Sequence, residues 1–422
     1  MSGSAAEARS IKTIQPGFSA RVEVPGSKSI ANRALVCAGL ARGGSRLHRL
    51  PDGDDTVAML NGLAVLGVST TVEGETVNVA GVDGRPRSGR IDAGLAGTTS
   101  RFLTAVAALA EGATEVTGAR PLRGRPFGEL HRALRQIGAE VDSDTGGLPA
   151  IVTGPVRGGR VRLEAGVSSQ FVSALMMAGA CMPDGLEIEL HGVQVSRPYI
   201  DMTSTVMALF GAEVVDEGGA LSVAAGGYRG AELEIEPDAS SASYPAAVAA
   251  ACGGEVVIPG LGVSSVQGDV AFREILRAMG ASVITESSST TVSCAAGALR
   301  GVAVDMRDCS DLVPTIAVLA ALADGVTRID GVGFIRRKES DRLGDLADGL
   351  ARCGVAVEVT ADGLVITGGG TRGARVATHH DHRLAMAFGV LGSAVPGVVV
   401  EDPDVVSKSW PGYWGMLDAF SR

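Results

Sequence analysis

Runs of small apolar residues, each ended by glycine and followed by a strand-like alternation of Val or Ile with polar residues, recur six times along the chain. They read ALVCAGLARGGSRLHRL, RFLTAVAALAEGATEVTG, FVSALMMAGACMPDGLEIEL, YPAAVAAACGGEVVIPG, LVPTIAVLAALADGVTRIDG and RLAMAFGVLGSAVPGVVVED. Glycine at the end of an apolar helix, followed by alternation, marks a helix stop and a strand start. The turn glycines Gly43, Gly112, Gly185, Gly254, Gly325 and Gly397 are spaced by 69, 73, 69, 71 and 72 residues. A second helix-to-strand element interleaves with the first, at Gly67, Gly138, Gly211, Gly280 and Gly354, with spacings of 71, 73, 69 and 74.

A period near 70 exceeds the roughly 20 to 50 residues of solenoid repeats, so each copy is a subdomain holding two helices and several strands. The pattern predicts an α/β protein of two domains with three repeats in each. The seam falls between the third and fourth copies, near the acidic, turn-prone stretch 228–237. The N-terminal domain is expected over 21–235, and residues 1–20, packing back, join 236–422 in the other.

Of the 422 residues 45% are hydrophobic and 20% charged, with 59 glycines, which is the composition of a globular chain rich in tight turns. A net charge of -10 argues against the phosphate-backbone contacts on which nucleic-acid affinity rests. The opening MSGSAAEARSIKTI has no export or organelle pattern, and apolar runs such as Thr315 to Leu322 are far short of the ~20 residues of a membrane span. The six Cys form no C-x-x-C pair, so a cytoplasmic protein is expected. Only Lys12, Lys28, Lys338 and Lys408 break an otherwise Arg-only set of cations, which singles out positions where a point charge of tunable pKa is required.

The segments entering the six apolar helices share a chemistry. They read PGSKSIANR (25–33), LAGTTSR (95–101), SSQF (168–171), DASSASY (238–244), DCSDLVP (308–314) and HHDHR (379–383). Ser, Thr and Asp there serve as N-caps. Capping does not explain Lys28, Arg33, Arg101 and Arg383, because cations at a helix N-terminus oppose the macrodipole. An anion bound jointly by cations and backbone amides resolves the conflict. Further basic clusters, RPLRGRPFG with Arg120, Arg123 and Arg125, and FIRRKESDRLG with Arg336, Arg337, Lys338 and Arg342, suit the same role, although a charge run is also an ordinary solvated face. PGSKS lacks P-loop spacing, and His379, His380 and His382 lack acidic or Cys partners at ligand spacing, so neither nucleotide hydrolysis nor a metal is expected.

PGSKSIANRAL, LAGTTSRF, RGRPFGEL, SSQF, SRPYIDMT, DASSASY, RRKESDRL, DHRLAMAF and SKSWPGYW, in this order from residue 25 to 414, resemble the 5-enolpyruvylshikimate-3-phosphate synthase family of enolpyruvyl transferases, the 3-phosphoshikimate 1-carboxyvinyltransferases. The resemblance implies an inside-out α/β barrel architecture with two domains of three βαβαββ repeats and an active site in the cleft between them. It implies transfer of the enolpyruvyl group of phosphoenolpyruvate to the 5-hydroxyl of shikimate 3-phosphate through a tetrahedral intermediate, by a monomer using no cofactor. Carried over by motif, Lys28, Gly97, Arg125, Gln170, Arg342, Arg383 and Lys408 would hold phosphoenolpyruvate. Ser29, Arg33, Ser168, Ser169, Gln170, Ser196, Tyr199, Asp311 and Lys338 would hold shikimate 3-phosphate. Asp311 would take the hydroxyl proton and Glu339 protonate the methylene carbon, with Lys28 assisting either.

Leu95, Phe102 and Phe334 depart from the residues most frequent in the family, Asn, Pro and Asn respectively. The sister transferase acting on UDP-N-acetylglucosamine carries Lys-Asn near its N-terminus and a reactive loop Cys, whereas this chain has Lys28-Ser29 and RPLRGRP without Cys. A specialised paralogue binding a related phosphorylated cyclitol is the other alternative. An RNA-end-processing relative would need a basic surface that this chain lacks.

Overall fold

The computed structural model describes residues 8–164, 166 and 168–421. Six apolar helices, Lys28–Leu40, Gly97–Ala107, Ser169–Gly179, Ala239–Cys252, Val313–Leu322 and His382–Ala394, are buried almost all round; in Val313–Leu322 only the last residue reaches intermediate exposure. A helix without a polar face is stable only when enclosed. The first three pack together within one unit and the last three within the other. Around each trio stand sheets with one face to solvent, as the alternating burial of Gly159–Glu164 shows. Helices inside and sheets outside make each unit an inside-out α/β barrel.

The second repeat shows the plan in order: strand Arg90–Asp92, helix Gly97–Ala107, strand Gly112–Thr117, helix Gly128–Gln136, then strands Glu140–Asp142 and Ala150–Gly154. This is a βαβαββ unit. Its first two strands are parallel, and the other pairings are antiparallel. The third and fifth repeats have the same spatial order.

Among the described residues, three of the six repeat sheets take a strand from a distant part of the chain. Glu232–Glu234 lies parallel to Gly44–His48 in the first sheet, and Ser19–Arg21 lies parallel to Glu255–Pro259 in the fourth. Ala8–Ser10 runs antiparallel to Val399–Glu401 in the sixth. The chain therefore divides into Gly26–Glu236 and a second unit made of the residues up to Pro25 and from Pro237 on. Residues 21–25, assigned above to the N-terminal domain, lie with the second unit, because Arg21 is in register with Val257 and the Val22 N–H donates to the Val257 carbonyl at 2.9 Å.

The interleaved glycines end five outer helices in one geometry. Gly67, Gly138, Gly211, Gly280 and Gly354 all have φ between 81° and 105°. Each donates to the carbonyl three residues back, and the next residue donates to the carbonyl five residues back, as Gly67 to Ala64 and Val68 to Leu63, both at 3.0 Å. This is the Schellman motif, closed on its apolar side by pairs such as Val68 with Leu63 and Ala139 with Leu134. One turn glycine differs from the expected register: in the fourth copy Gly253, not Gly254, takes the left-handed conformation, with φ 78°. The helix Ala239–Cys252 stops one residue earlier than expected, and Gly253 caps it.

Candidate active site

In the unit Gly26–Glu236 the expected residues stand at helix starts. Ser27 caps the first inner helix, its hydroxyl accepting from the Ile30 N–H, so Lys28 and Ser29 open the helix. Lys28 Nζ lies 3.0 Å from Asp55 Oδ2, both side chains largely buried. Ser168 caps the helix Ser169–Gly179 by accepting from the Gln170 N–H at 3.3 Å. The Gln170 side chain joins two repeats: its Oε1 accepts from Arg101 Nη1 at 2.6 Å and its Nε2 donates to Thr98 Oγ1 at 3.4 Å. Arg101 is buried with its guanidinium over the rings of Phe127 and Phe171.

Gly97 opens its helix against two of these cations. A Cβ at this position would lie 2.5 Å from Arg125 Nη1 and 3.0 Å from Arg101 Nη1, so only glycine lets Arg125 approach the helix start. Ser196 precedes the helix Arg197–Leu209 in the left-handed region, at φ 56°. Tyr199 and Arg33 meet through the Tyr199 carbonyl.

Arg33 is inside the protein. Its guanidinium donates to Thr203 Oγ1 at 2.7 Å, the Ser29 carbonyl at 2.8 Å, Ser173 Oγ at 3.1 Å and the Tyr199 carbonyl at 3.3 Å, and its faces meet Phe102 and Tyr199. All these partners are neutral, and burial pulls its pKa down to about 10. The side chain fixes Ser29 and Tyr199 relative to one another.

In the other unit the acids and bases form one cluster. Asp311 accepts from Lys338 Nζ at 2.7 Å and Arg342 Nη1 at 3.0 Å on Oδ1, and from Arg383 Nη2 at 2.7 Å on Oδ2. Burial pushes the Asp311 pKa up, but Arg383, Lys338 and Arg342 outweigh it and hold the carboxyl well below the usual range. Burial, helped by Arg342, draws Lys338 below an ordinary lysine against the pull of Asp311 and Glu339. Glu339 Oε2 accepts from Arg342 Nη2 at 2.7 Å. Lys408, buried, ends the short turn Pro403–Lys408.

Three residues of this architecture carried no functional reading in the sequence. Asp381 caps the helix His382–Ala394 by accepting from the Arg383 N–H at 2.9 Å, and also accepts from Arg342 Nε at 2.9 Å. Its place in HHDHR looked like an ordinary cap. Asp269 is buried, accepts from Ser240 Oγ, and is pushed up to about 6, by burial first and then by Asp311. Asp55 is the partner of Lys28. Of the helix-start cations, Lys28 and Arg383 thus face the chain's own carboxylates, Asp55 and Asp311, whereas Arg33 and Arg101 donate to neutral oxygens. Among the described residues no group of three or more His, Cys, Asp or Glu could hold a metal; His379 and His380 face Asp345 and Asp402 singly.

The comparisons fit this geometry. The profile of the EPSP synthase (3-phosphoshikimate 1-carboxyvinyltransferase) family matches residues 13–417. The 3-phosphoshikimate 1-carboxyvinyltransferase of Methanoculleus marisnigri is 42% identical over 400 residues, covering 93% of this chain and 94% of that protein. The protein of that name from Trichormus variabilis is 38% identical over 404 residues, covering 94% and 95%. The solved EPSP synthase of Acinetobacter baumannii matches with a TM-score of 0.80 at 27% identity over 98% of both chains. Matched by the family profile across nearly its whole length, and by relatives this similar, the chain belongs to the EPSP synthase family.

Proposed function

We propose that the chain is a 3-phosphoshikimate 1-carboxyvinyltransferase, transferring the enolpyruvyl group of phosphoenolpyruvate to the 5-hydroxyl of shikimate 3-phosphate with release of phosphate. The observation that carries the reading is the Asp311 cluster, a single carboxylate approached by Lys338, Arg342 and Arg383 with Glu339 one hydrogen bond away on Arg342. Both substrates are anions, and Arg forks and helix-start amides bind phosphate and carboxylate.

In the addition step the 5-hydroxyl oxygen bonds to C2 of phosphoenolpyruvate while its proton leaves to a base and the C3 methylene gains a proton from an acid. Asp311 is the base and Glu339 the acid. Elimination then breaks the C2–O bond to phosphate and returns a proton from the methyl group. Asp311 held by three cations is too weak a base to act unaided. Arg342 and Arg383, once turned to the carboxylate of phosphoenolpyruvate, release it and raise its basicity.

Phosphoenolpyruvate is held by Lys28, Gly97, Arg125, Gln170, Arg342, Arg383 and Lys408. Shikimate 3-phosphate is held by Ser29, Ser168, Ser169, Gln170, Ser196, Tyr199, Asp311 and Lys338, with Arg33 setting the positions of Ser29 and Tyr199. The enzyme acts as a cytoplasmic monomer without a cofactor and binds no nucleic acid. Six unbridged Cys support the compartment, and the net charge of -10 supports the absence of a nucleic-acid partner.

Phosphate release from phosphoenolpyruvate is the test, with shikimate 3-phosphate compared with UDP-N-acetylglucosamine as acceptor. Turnover with the first alone is expected. No turnover with shikimate 3-phosphate would overturn the reading.

A further inference from the structure

Phe334 stands on the tight turn Gly333–Arg337, half-buried against the core of its own unit. Four residues on, the Lys338 N–H closes the turn onto the Ile335 carbonyl at 3.2 Å. Lys338 Nζ comes to rest 5.8 Å from the centre of the Phe334 ring. The same ammonium donates to Asp311 Oδ1 at 2.7 Å and Ser310 Oγ at 3.1 Å.

An ammonium has three N–H donors. Two are used here, and the third has no partner among the described residues. A ring face attracts a cation through its quadrupole but neither donates nor accepts a conventional hydrogen bond. Phe334 therefore restrains the charge without occupying the remaining donor. An Asn or Ser at this position would compete for that donor, and an aliphatic side chain would leave the ammonium held by Asp311 and Ser310 alone.

We propose that Phe334 is a positioning residue for the reaction: its ring holds the Lys338 ammonium beside Asp311 and keeps one N–H directed at an oxygen of the bound phosphorylated acceptor. This rests on the reading of Lys338 as a ligand of shikimate 3-phosphate.

The experiment compares the full-length enzyme with Phe334→Leu, Phe334→Met and Phe334→Tyr by two readouts. The first needs no turnover. With only four Lys in the chain, the side-chain methylene signals next to Nζ are few enough to resolve by NMR, and Lys338→Arg identifies the one in question. In the wild type that signal is shifted upfield by the ring; Leu and Met abolish the shift and Tyr keeps it. The second readout is steady-state kinetics with shikimate 3-phosphate. Leu and Met raise its KM by roughly three- to ten-fold, the size of a partly desolvated cation–π contact, with a smaller change in kcat, and Tyr restores it.

An unmoved Lys338 signal in both Leu and Met, or a KM within two-fold of wild type in both, overturns the proposal. If the wild type does not turn over shikimate 3-phosphate, the functional reading fails on its own, and the NMR comparison still decides whether the ring holds Lys338. Met, a flexible filler of similar bulk, keeps the test open should Leu fail to fold.

Discussion

Arg342 and Asp381 form a closed pair in the interior, Nε to Oδ2 at 2.9 Å and Nη2 to Oδ1 at 3.3 Å, with side-chain exposures of 1% and 0%. Nη1 of the same guanidinium reaches Asp311, and Nη2, shared with the pair, reaches Glu339. Asp381 is thereby the anchor from which the guanidinium presents itself to both proposed proton-transfer groups. Removing one member of a buried ion pair costs about 3–5 kcal/mol when the other is left uncompensated, and Arg342 keeps Asp311 and Glu339, which puts the cost at the low end. Asp381→Asn is expected to lose about 3 kcal/mol of stability, and the double variant with Arg342→Met to lose less than the sum of the singles. Both Trp, at 410 and 414, lie in this unit, so fluorescence-detected urea unfolding reports the change. A loss below about 1 kcal/mol would show that water or Ser340 carries the pair's role.

Asp269 makes stability depend on pH in the opposite sense to a salt-bridged acid. Its folded-state pKa is raised to about 6, above the roughly 3.9 of an unfolded Asp. The native state therefore keeps the proton longer, and its contribution, full below pH ~4, is lost as the pH rises through ~6. At about 1.4 kcal/mol per unit the difference is on the order of 3 kcal/mol. Asp269→Asn is expected to be more stable than wild type at pH 8 and to lose that advantage by pH 4.5. Equal destabilisation at both pH values, by the same fluorescence assay, would exclude a protonated Asp269.

The inner helices were legible because an apolar run is a local signal and its consequence, burial, follows from the run alone. Strand partnership was less so: Glu232–Glu234 and Ser19–Arg21 complete sheets whose other strands lie far away in sequence, and three residues carry no code for which edge they join. Among site residues, those inside distinctive motifs could be named, and Lys338 and Asp311 do meet. Asp381 also lay in a quoted motif, yet its cap on Arg383 is local whereas its clamp on Arg342 spans 39 residues and exists only through packing. Asp269, in the plain stretch SVQGDVAF, becomes unusual only once Asp311 and burial surround it. Arg33, read as a ligand from its place at a helix start, also donates to neutral oxygens of its own unit, contacts that no local pattern announces.

Gly97→Ala places a methyl group 2.5 Å from Arg125 Nη1 and 3.0 Å from its Cζ. The flexible Arg125 side chain moves, so the fold persists while the proposed grip on phosphoenolpyruvate weakens. A rise in KM for phosphoenolpyruvate of about ten-fold, equivalent to ~1.4 kcal/mol, is expected, with KM for shikimate 3-phosphate little changed. Equal shifts for both substrates would contradict the division of roles.

Glu339→Gln separates chemistry from structure. Arg342 keeps Asp381 and Asp311 when Glu339 loses its charge, so the thermal midpoint should fall by no more than a few degrees. General-acid loss should lower kcat by at least about 100-fold. Phosphate release at near wild-type rate would move the acid role elsewhere, Lys28 being the next candidate to test by Lys28→Met.

The repeated helix stops allow a test of backbone strain free of packing. Gly138 has φ 93° and no heavy atom within 4 Å of where an added methyl group would sit, so Gly138→Ala meets only the conformational penalty of the left-handed region, about 1–2 kcal/mol. Asn, whose short polar side chain tolerates that region, should cost less. Gly253, at φ 78°, differs in one respect: an added Cβ lies 2.6 Å from the Ala296 backbone nitrogen. Gly253→Ala must therefore cost more than Gly138→Ala, by the strain of moving a backbone segment. Far-UV circular dichroism during urea unfolding measures both, because Gly138 lies in the unit without Trp. If Ala and Asn are equivalent at Gly138, the Schellman turn relaxes on substitution, and the recurrence of glycine there has a cause other than φ.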